Sequence, residues 1–240
     1  MKKHYRILTV ILGLIWGSAP AVWADGSADT SGNQLMKNST HWYQKAAETV
    51  GPVEGVKTDT GTLLTLQSGS YLYMEGDSTL HKYQMNAKAL MGSAVVKTKS
   101  ADHLLQAIQA GEVGNMTLVV PLKTFNSKDK GLDNNAYKAL NATAYPEITF
   151  NLTRETLAAG STADSYVMTA IGTVTAAGVS APVTLMADAS FQDGQVRLKG
   201  VQALKMTDFK VTPPTMSILI VSVTCTDAIN IYYDVTFAAK

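Results

Sequence analysis

The segment Ile229-Asn230-Ile231-Tyr232-Tyr233-Asp234-Val235-Thr236-Phe237 alternates without a break. Ile229, Ile231, Tyr233, Val235 and Phe237 fall on one side, and Asn230, Tyr232, Asp234 and Thr236 on the other. That period of two belongs to a strand with one face in a core. It recurs upstream. In Glu147–Leu152, Ile148, Phe150 and Leu152 oppose Glu147, Thr149 and Asn151. Val183, Leu185, Ala187, Ala189 and Phe191 share a face, as do Val196, Leu198, Leu204 and Met206. Asp193-Gly194 lies between those two runs, and Asp-Gly flanked by alternating strands is a strong hairpin signal. Tyr83–Val96, Tyr166–Val174 and Met216–Val223 also read as strands, which gives about eight or nine in all.

Helices are few. Ser100 can cap one that runs to about Ala110 and closes at Gly111, and Asn134-Asn135 can cap another through about Leu140. Consecutive strands with so few helices imply antiparallel meander connections rather than βαβ units. A long antiparallel sheet must hide its edges, and closure into a barrel does so. The expected fold is therefore all-β: an antiparallel barrel with one or two short helices and an apolar interior. Ala87, Ala89, Ala187, Ala189, Gly172 and Gly200 sit on the inner faces. Small residues there suit an internal cavity or tight wall packing, and the sequence leaves both readings open.

The N-terminus carries a different message. Met1-Lys2-Lys3-His4-Tyr5-Arg6 is basic, Ile7–Trp16 is apolar, and Val22-Trp23-Ala24 offers a cleavage site, the pattern of a secretory signal peptide. The apolar run is about half of the roughly 20 residues a spanning helix needs. The expected organisation is a signal peptide at 1–24, a leader at 25–60 with a short helix from His41 to about Val50, and one β domain at 61–240. Loss of Lys2, Lys3 and Arg6 takes the basic count from 20 to 17 against 19 acidic residues, a net charge of about −2. So balanced a chain, with no charge block, does not read as a protein whose main activity is to bind nucleic acid or an anionic membrane. A single cysteine forms no internal disulfide, so this exported domain rests on its hydrophobic core. The signal and the disulfide-free design together suggest a bacterial periplasm.

Catalytic patterns fail. Asp59-Thr60-Gly61 matches half of an aspartic-protease dyad, but no second copy exists to share the proton. There is no Gly-x-Ser-x-Gly elbow. His41, His81 and His103 lack the short spacings of a metal site. Cys225, between Val223 and Asp227 on an expected strand, reads as a buried inert thiol. Neither a catalytic residue, a metal nor a cofactor is expected.

Four pieces in order carry a family resemblance. They are Tyr71–His81 (opening on Tyr71-Leu72-Tyr73-Met74 and closing on Thr79-Leu80-His81), Tyr137–Phe150 with its Tyr145-Pro146-Glu147-Ile148-Thr149-Phe150, the hairpin Gly172–Val183, and Leu204–Thr215 with Asp208-Phe209 and Pro213-Pro214. In register these resemble the YceI family, the periplasmic lipocalin-like, polyisoprenoid-binding proteins. Lys210 departs from the pattern, standing where glycine commonly follows Asp-Phe. The leader has no counterpart in the family.

The resemblance implies an extended lipocalin-like barrel that holds an amphiphilic isoprenoid-like lipid in a long apolar cavity, without stable membrane insertion. A homodimer is left open. The candidate ligand contacts are His81, Tyr71, Tyr73, Met85, Phe150 and Phe209. His81 falls on the family's histidine and could meet a head group, or simply anchor its loop. Tyr71 and Tyr73 could line a mouth or pack in the core, and Asp208 could hold the segment before Pro213-Pro214. A protein of another class, an interaction or structural module whose barrel is filled by its own side chains, shares the same strand pattern and differs only in having no free interior volume.

Overall fold

A computed structural model describes residues 61–162, 164–218 and 221–239. The expected signal peptide and leader, residues 1–60, lie outside the described residues. The described chain forms one antiparallel sheet of twelve strands. These are β1 (Thr62–Leu66), β2 (Tyr71–Ser78), β3 (Tyr83–Ala87), β4 (Met91–Val96), β5 (Val113–Pro121), β6 (Phe125–Asn126), β7 (Glu147–Ala159), β8 (Tyr166–Ala176), β9 (Val179–Gln192), β10 (Gln195–Lys205), β11 (Thr215–Ile218) and β12 (Val221–Ala239). Two α-helices accompany them, α1 (Leu104–Gln109) and α2 (Lys130–Ala139).

Twelve strands make an eight-stave closed barrel because three staves are each split in two and β11 lies off the ring, paired only with the start of β12. β1 and β2 lie end to end along β12, with Leu64 opposite Ala239 and Tyr71 opposite Asp234. β3 and β4 form the next stave, and β5 with β6 the one after. The breaks bond onto neighbouring staves. Gln67 N donates to Thr236 O at 2.8 Å and Lys88 N to Thr124 O at 2.8 Å, while Ser70 Oγ accepts from Thr236 N at 3.0 Å. Pairing of β1 with β12 closes the ring, so the sheet has no long free edge to defend.

Turn chemistry follows the sequence where it is strong. Asp193 and Gly194 both take positive φ, 51° and 70°, between the paired residues Gln192 and Gln195, as a two-residue turn of this hand requires. Ser100 caps the turn that leads into α1, accepting from Asp102 N. The cap of α2 differs from expectation. Asp129, not Asn134-Asn135, accepts from Gly131 N and Leu132 N, because a carboxylate preceding the first turn satisfies two open N–H donors at once. Lys210 takes φ +56°, the left-handed conformation that glycine would adopt without strain.

Helix α1 seals one end of the barrel. Its Leu104 and Ile108 are buried in one cluster with Leu64, Val96, Val196 and Phe237. Helix α2 lies against Met85, Leu122 and Phe125 through Leu132, Ala136 and Leu140. Between β9 and β10 the wall splits, since their pairing ends at Gly200 and Ala187. The tight turn Met206–Phe209 and Val211 fill that gap, burying Phe209 and Val211 with Ala176. Asp227 on β12 holds this turn, accepting from Thr207 N at 2.9 Å and Thr207 Oγ1 at 2.7 Å. The role expected of Asp208 thus belongs to Asp227, and Asp208 is exposed.

Gly172 and Gly200 do not add free space, because aromatic rings lie across them. The Phe150 ring covers Gly172, Tyr83 covers Gly76, and Tyr233 covers Gly200. Glycine in a strand often marks such a close approach. Tyr233 gains a hydrogen bond by it: its hydroxyl donates to Met186 O at 2.9 Å, a carbonyl next to the split where the β9–β10 ladder ends. A methyl group on Gly200 would come within 2.5 Å of both Met186 O and Tyr233 Oη. Gly200→Ala is therefore expected to destabilise the barrel by about 1–3 kcal/mol, the cost of overpacking, read as a lowered urea midpoint. An unchanged midpoint would show that the ring can move aside freely.

Candidate functional site

Inside the barrel lies a cavity of about 260 Å³. Residues from all eight staves line it, along with α2 and the turn that carries Phe209. The wall is apolar apart from Tyr83, Asn135, Thr149, Glu155, Gln202, Cys225 and Tyr233. At the α1 end the lining is sealed: Val96, Ile108, Val196 and Phe237 are at most 4 % exposed. At the far end Asn135, Gln202, Pro214 and Cys225 are half-buried. Asn135, Gln202 and Cys225 lie toward that end, and Glu155, bonded to Val113, lies toward α1. A site of this kind encloses an apolar body and reserves its few polar contacts for orientation.

Three of the six candidate contacts come together here. Met85, Phe150 and Phe209 line the cavity. Met85 is fully buried on β3, Phe150 lies flat on the wall over Gly172, and Phe209 plugs the split between β9 and β10. The other three stand elsewhere. Tyr71 and Tyr73 are on the outer face, because Leu72 and Met74, between and beyond them, take the inner one. The Tyr73 ring stacks on Tyr232 with centroids 4.7 Å apart and planes 7° apart, and Tyr71 continues the stack at 6.5 Å. His81 is exposed in the loop between β2 and β3, its Nδ1 2.8 Å from Lys82 O.

Five further groups belong to the site. Tyr233 spans the wall, and burial, helped by the charge of Asp188, pushes its phenol up to about 12. Burial also raises the Tyr83 phenol, which is hydrogen-bonded to the Cys225 thiol. Cys225 is thus half-buried in the cavity wall rather than sealed in a core. Gln202 lies between Gly200 and Leu204 on the inner face, its Nε2 donating to Ala203 O at 2.9 Å.

Glu155 is the least expected, a carboxyl 6 % exposed in an apolar wall. The register of β7 on β8 shifts between Leu152 and Arg154. This bulge turns Glu155 inward, where simple alternation from Phe150 would have kept it outside. Its Oε1 accepts from Val113 N at 2.9 Å. Burial raises its pKa above the ordinary carboxylate value, against the lowering effect of the Val113 hydrogen bond.

Among the described residues no three His, Cys, Asp or Glu side chains gather into a metal-binding group. No helix there is long and apolar enough to cross a membrane.

Residues 73–237 match the model of the YceI-like domain, and the chain belongs to that family. No curated protein is similar enough in sequence to match it. Among solved structures, a polyisoprenoid binding domain from Saccharophagus degradans implicated in plant cell wall breakdown superimposes with a TM-score of 0.55 at 12 % identity. That match covers 74 % of this chain and 98 % of that one. Burkholderia cenocepacia BcnA aligns with a TM-score of 0.52 at 15 % identity, over 70 % of this chain and 95 % of its own. At such identities the likeness is one of fold, and it agrees with the closed lipocalin-type barrel.

Glu155 gives the barrel a pH signature. A carboxyl whose pKa is raised by folding contributes stability below its unfolded value, and that contribution is lost as pH rises through the folded value. Glu155→Gln keeps the carbonyl acceptor for Val113 and removes the buried charge. The variant should melt above the wild type at pH 8, with the gap narrowing toward pH 4, in thermal scans across that range. A constant gap, or a lower melting point at pH 8, would contradict this.

Proposed function

We propose that this chain is a periplasmic carrier that holds an amphiphile of isoprenoid type by its apolar chain and performs no reaction on it. The observation that carries the reading is the apolar cavity itself: only Tyr83, Asn135, Thr149, Glu155, Gln202, Cys225 and Tyr233 bring polar side chains to a lining otherwise built of hydrocarbon. An insoluble chain crossing water gains roughly 25 cal/mol for each Å² buried, and such a lining supplies the burial. The name of the Saccharophagus degradans domain, which is called polyisoprenoid-binding, favours the same ligand class. The basic, apolar and small-residue order of residues 1–24 supports export.

A barrel filled by its own side chains would leave no such space, which counts against the interaction-module reading. A dry apolar pocket of about 150 Å³ takes up benzene. By volume, about 260 Å³ then takes roughly ten carbon atoms, or two isoprene units.

The test is a displacement series with prenyl alcohols that differ by one isoprene unit. At about 0.8 kcal/mol per buried methylene, the second unit should add a hundredfold or more in affinity, and later units much less. Ala170 lines the cavity wall, so Ala170→Phe should cost at least about tenfold in affinity by filling the space, with its melting curve preserved. Affinity independent of chain length, or unchanged in Ala170→Phe, would overturn the carrier reading.

A further inference from the structure

The bulge in β7 puts a carboxyl inside the barrel, and the wall uses only part of it. Beyond Leu152 the shifted register sets Glu155 opposite Ala170 on β8, and Ala170 opposite Leu185 on β9. Paired positions of an antiparallel ladder share a face, and all three residues line the cavity. The methyl group of Ala170 leaves the space beside the carboxyl open. On the other side, β5 and β7 pair only from Thr117 and Asn151 to Pro121 and Glu147. Val113, at the far end of β5, has no ladder partner on β7, and Glu155 Oε1 takes its N–H at 2.9 Å.

That bond accounts for one oxygen of the two. A side-chain amide would serve Val113 as well, without the cost of burying a group that ionises. Among the described residues no side chain bonds to the Glu155 carboxyl, and its remaining neighbour is its own backbone N–H. Among those residues, too, no lysine, arginine or histidine lines the cavity, and Glu155 is the one carboxyl that does.

We propose that Glu155 receives the polar head of the ligand, that this head is a hydroxyl, and that the amphiphile sits with it toward the α1 seal. The proposal rests on the carrier reading and adds to it the headgroup chemistry and the direction of insertion. A hydroxyl carries one donor and two lone pairs. It donates to the carboxylate, and it accepts from the same group when that is protonated, so it suits both states. An ammonium brings three donors to a wall with one free carboxyl oxygen, and leaves the others stranded in hydrocarbon. An anionic head would meet a like charge, with no cation in the lining to offset it. A plain hydrocarbon would leave the second oxygen of Glu155 unpaired.

The test uses the full mature protein and the displacement of the apolar dye N-phenylnaphthylamine. Four competitors share the chain of two isoprene units that the volume admits: geraniol, its deoxygenated hydrocarbon, geranylamine and the benzyl ether of geraniol. Wild type should hold geraniol at least as tightly as the hydrocarbon, because the bond to Glu155 offsets the cost of drying the hydroxyl. It should hold the amine and the bulky ether at least about tenfold less tightly than geraniol. In Glu155→Leu the hydroxyl has no partner, and geraniol should fall at least about tenfold behind the hydrocarbon. That variant also strips Val113 N of its acceptor; where it does not fold, the wild-type series decides alone.

A benzyl ether that binds like geraniol would turn the head outward and overturn the proposal, leaving the carrier reading in place. Geraniol that keeps pace with the hydrocarbon in Glu155→Leu would do the same. An amine that binds more tightly than the alcohol would overturn the hydroxyl in favour of a cation. Failure of all four to displace the dye would overturn the carrier reading, and the Glu155 subsite with it.

Discussion

The barrel depends on one strand. β12 is nineteen residues of extended chain, bonded to β10 along one side, to β2 and then β1 along the other, and to β11 at its start. Its last residues make the seam with β1 that closes the ring. Closure removes the open edges and turns one face of each stave into an interior. Asp234 marks the middle of this strand. It lies on the outward-facing side, yet is 4 % exposed, because Arg197 on β10 closes over it with two hydrogen bonds of 2.7 and 2.6 Å. That guanidinium keeps the Asp234 carboxyl below its usual value. With the arginine largely in water, such a pair adds little net stability; what it does is pin β10 to β12 at one register.

From closure follows the shape of the interior. Phe150, Tyr83 and Tyr233 project inward from their staves, and upright rings there would block the lumen. Each instead lies over a glycine of a neighbouring stave, so the rings become part of the wall and a narrow apolar space survives between them. The split between β9 and β10 could drain that space, but Phe209 and Val211 stop it. The α1 seal closes one end of it.

Much of this was legible in the sequence because its signals were local. The alternation of Ile229–Phe237, the Asp193-Gly194 turn and the Ser100 cap each depend on near neighbours, and the family resemblance placed the barrel. The count of eight or nine strands agrees with the eight staves, three of which are broken, at residues 67–70, 88–90 and 122–124. Tyr71 and Tyr73 could not be oriented from sequence. Leu72 and Met74 compete with them for the inner face, and only pairing with Ile231 and Tyr233 decides it. Phe150 lines the cavity, on a strand whose apolar face Ile148, Phe150 and Leu152 share. Glu155 was invisible because a single bulged residue reverses the faces of β7 beyond Leu152. The roles of Gly172 and Gly200 were undecidable for a like reason: the ring that covers each glycine arrives from another strand.

The central claim is that the cavity holds an apolar chain in the living cell. Its most direct test is to purify the mature protein from its own compartment, extract it with organic solvent and identify what leaves with it by mass spectrometry. The account predicts one amphiphile with an isoprenoid chain per barrel, depleted in Ala170→Phe purified in parallel. An extract with no such molecule, from a protein that also gains no thermal stability from added isoprenoid alcohols, would contradict it.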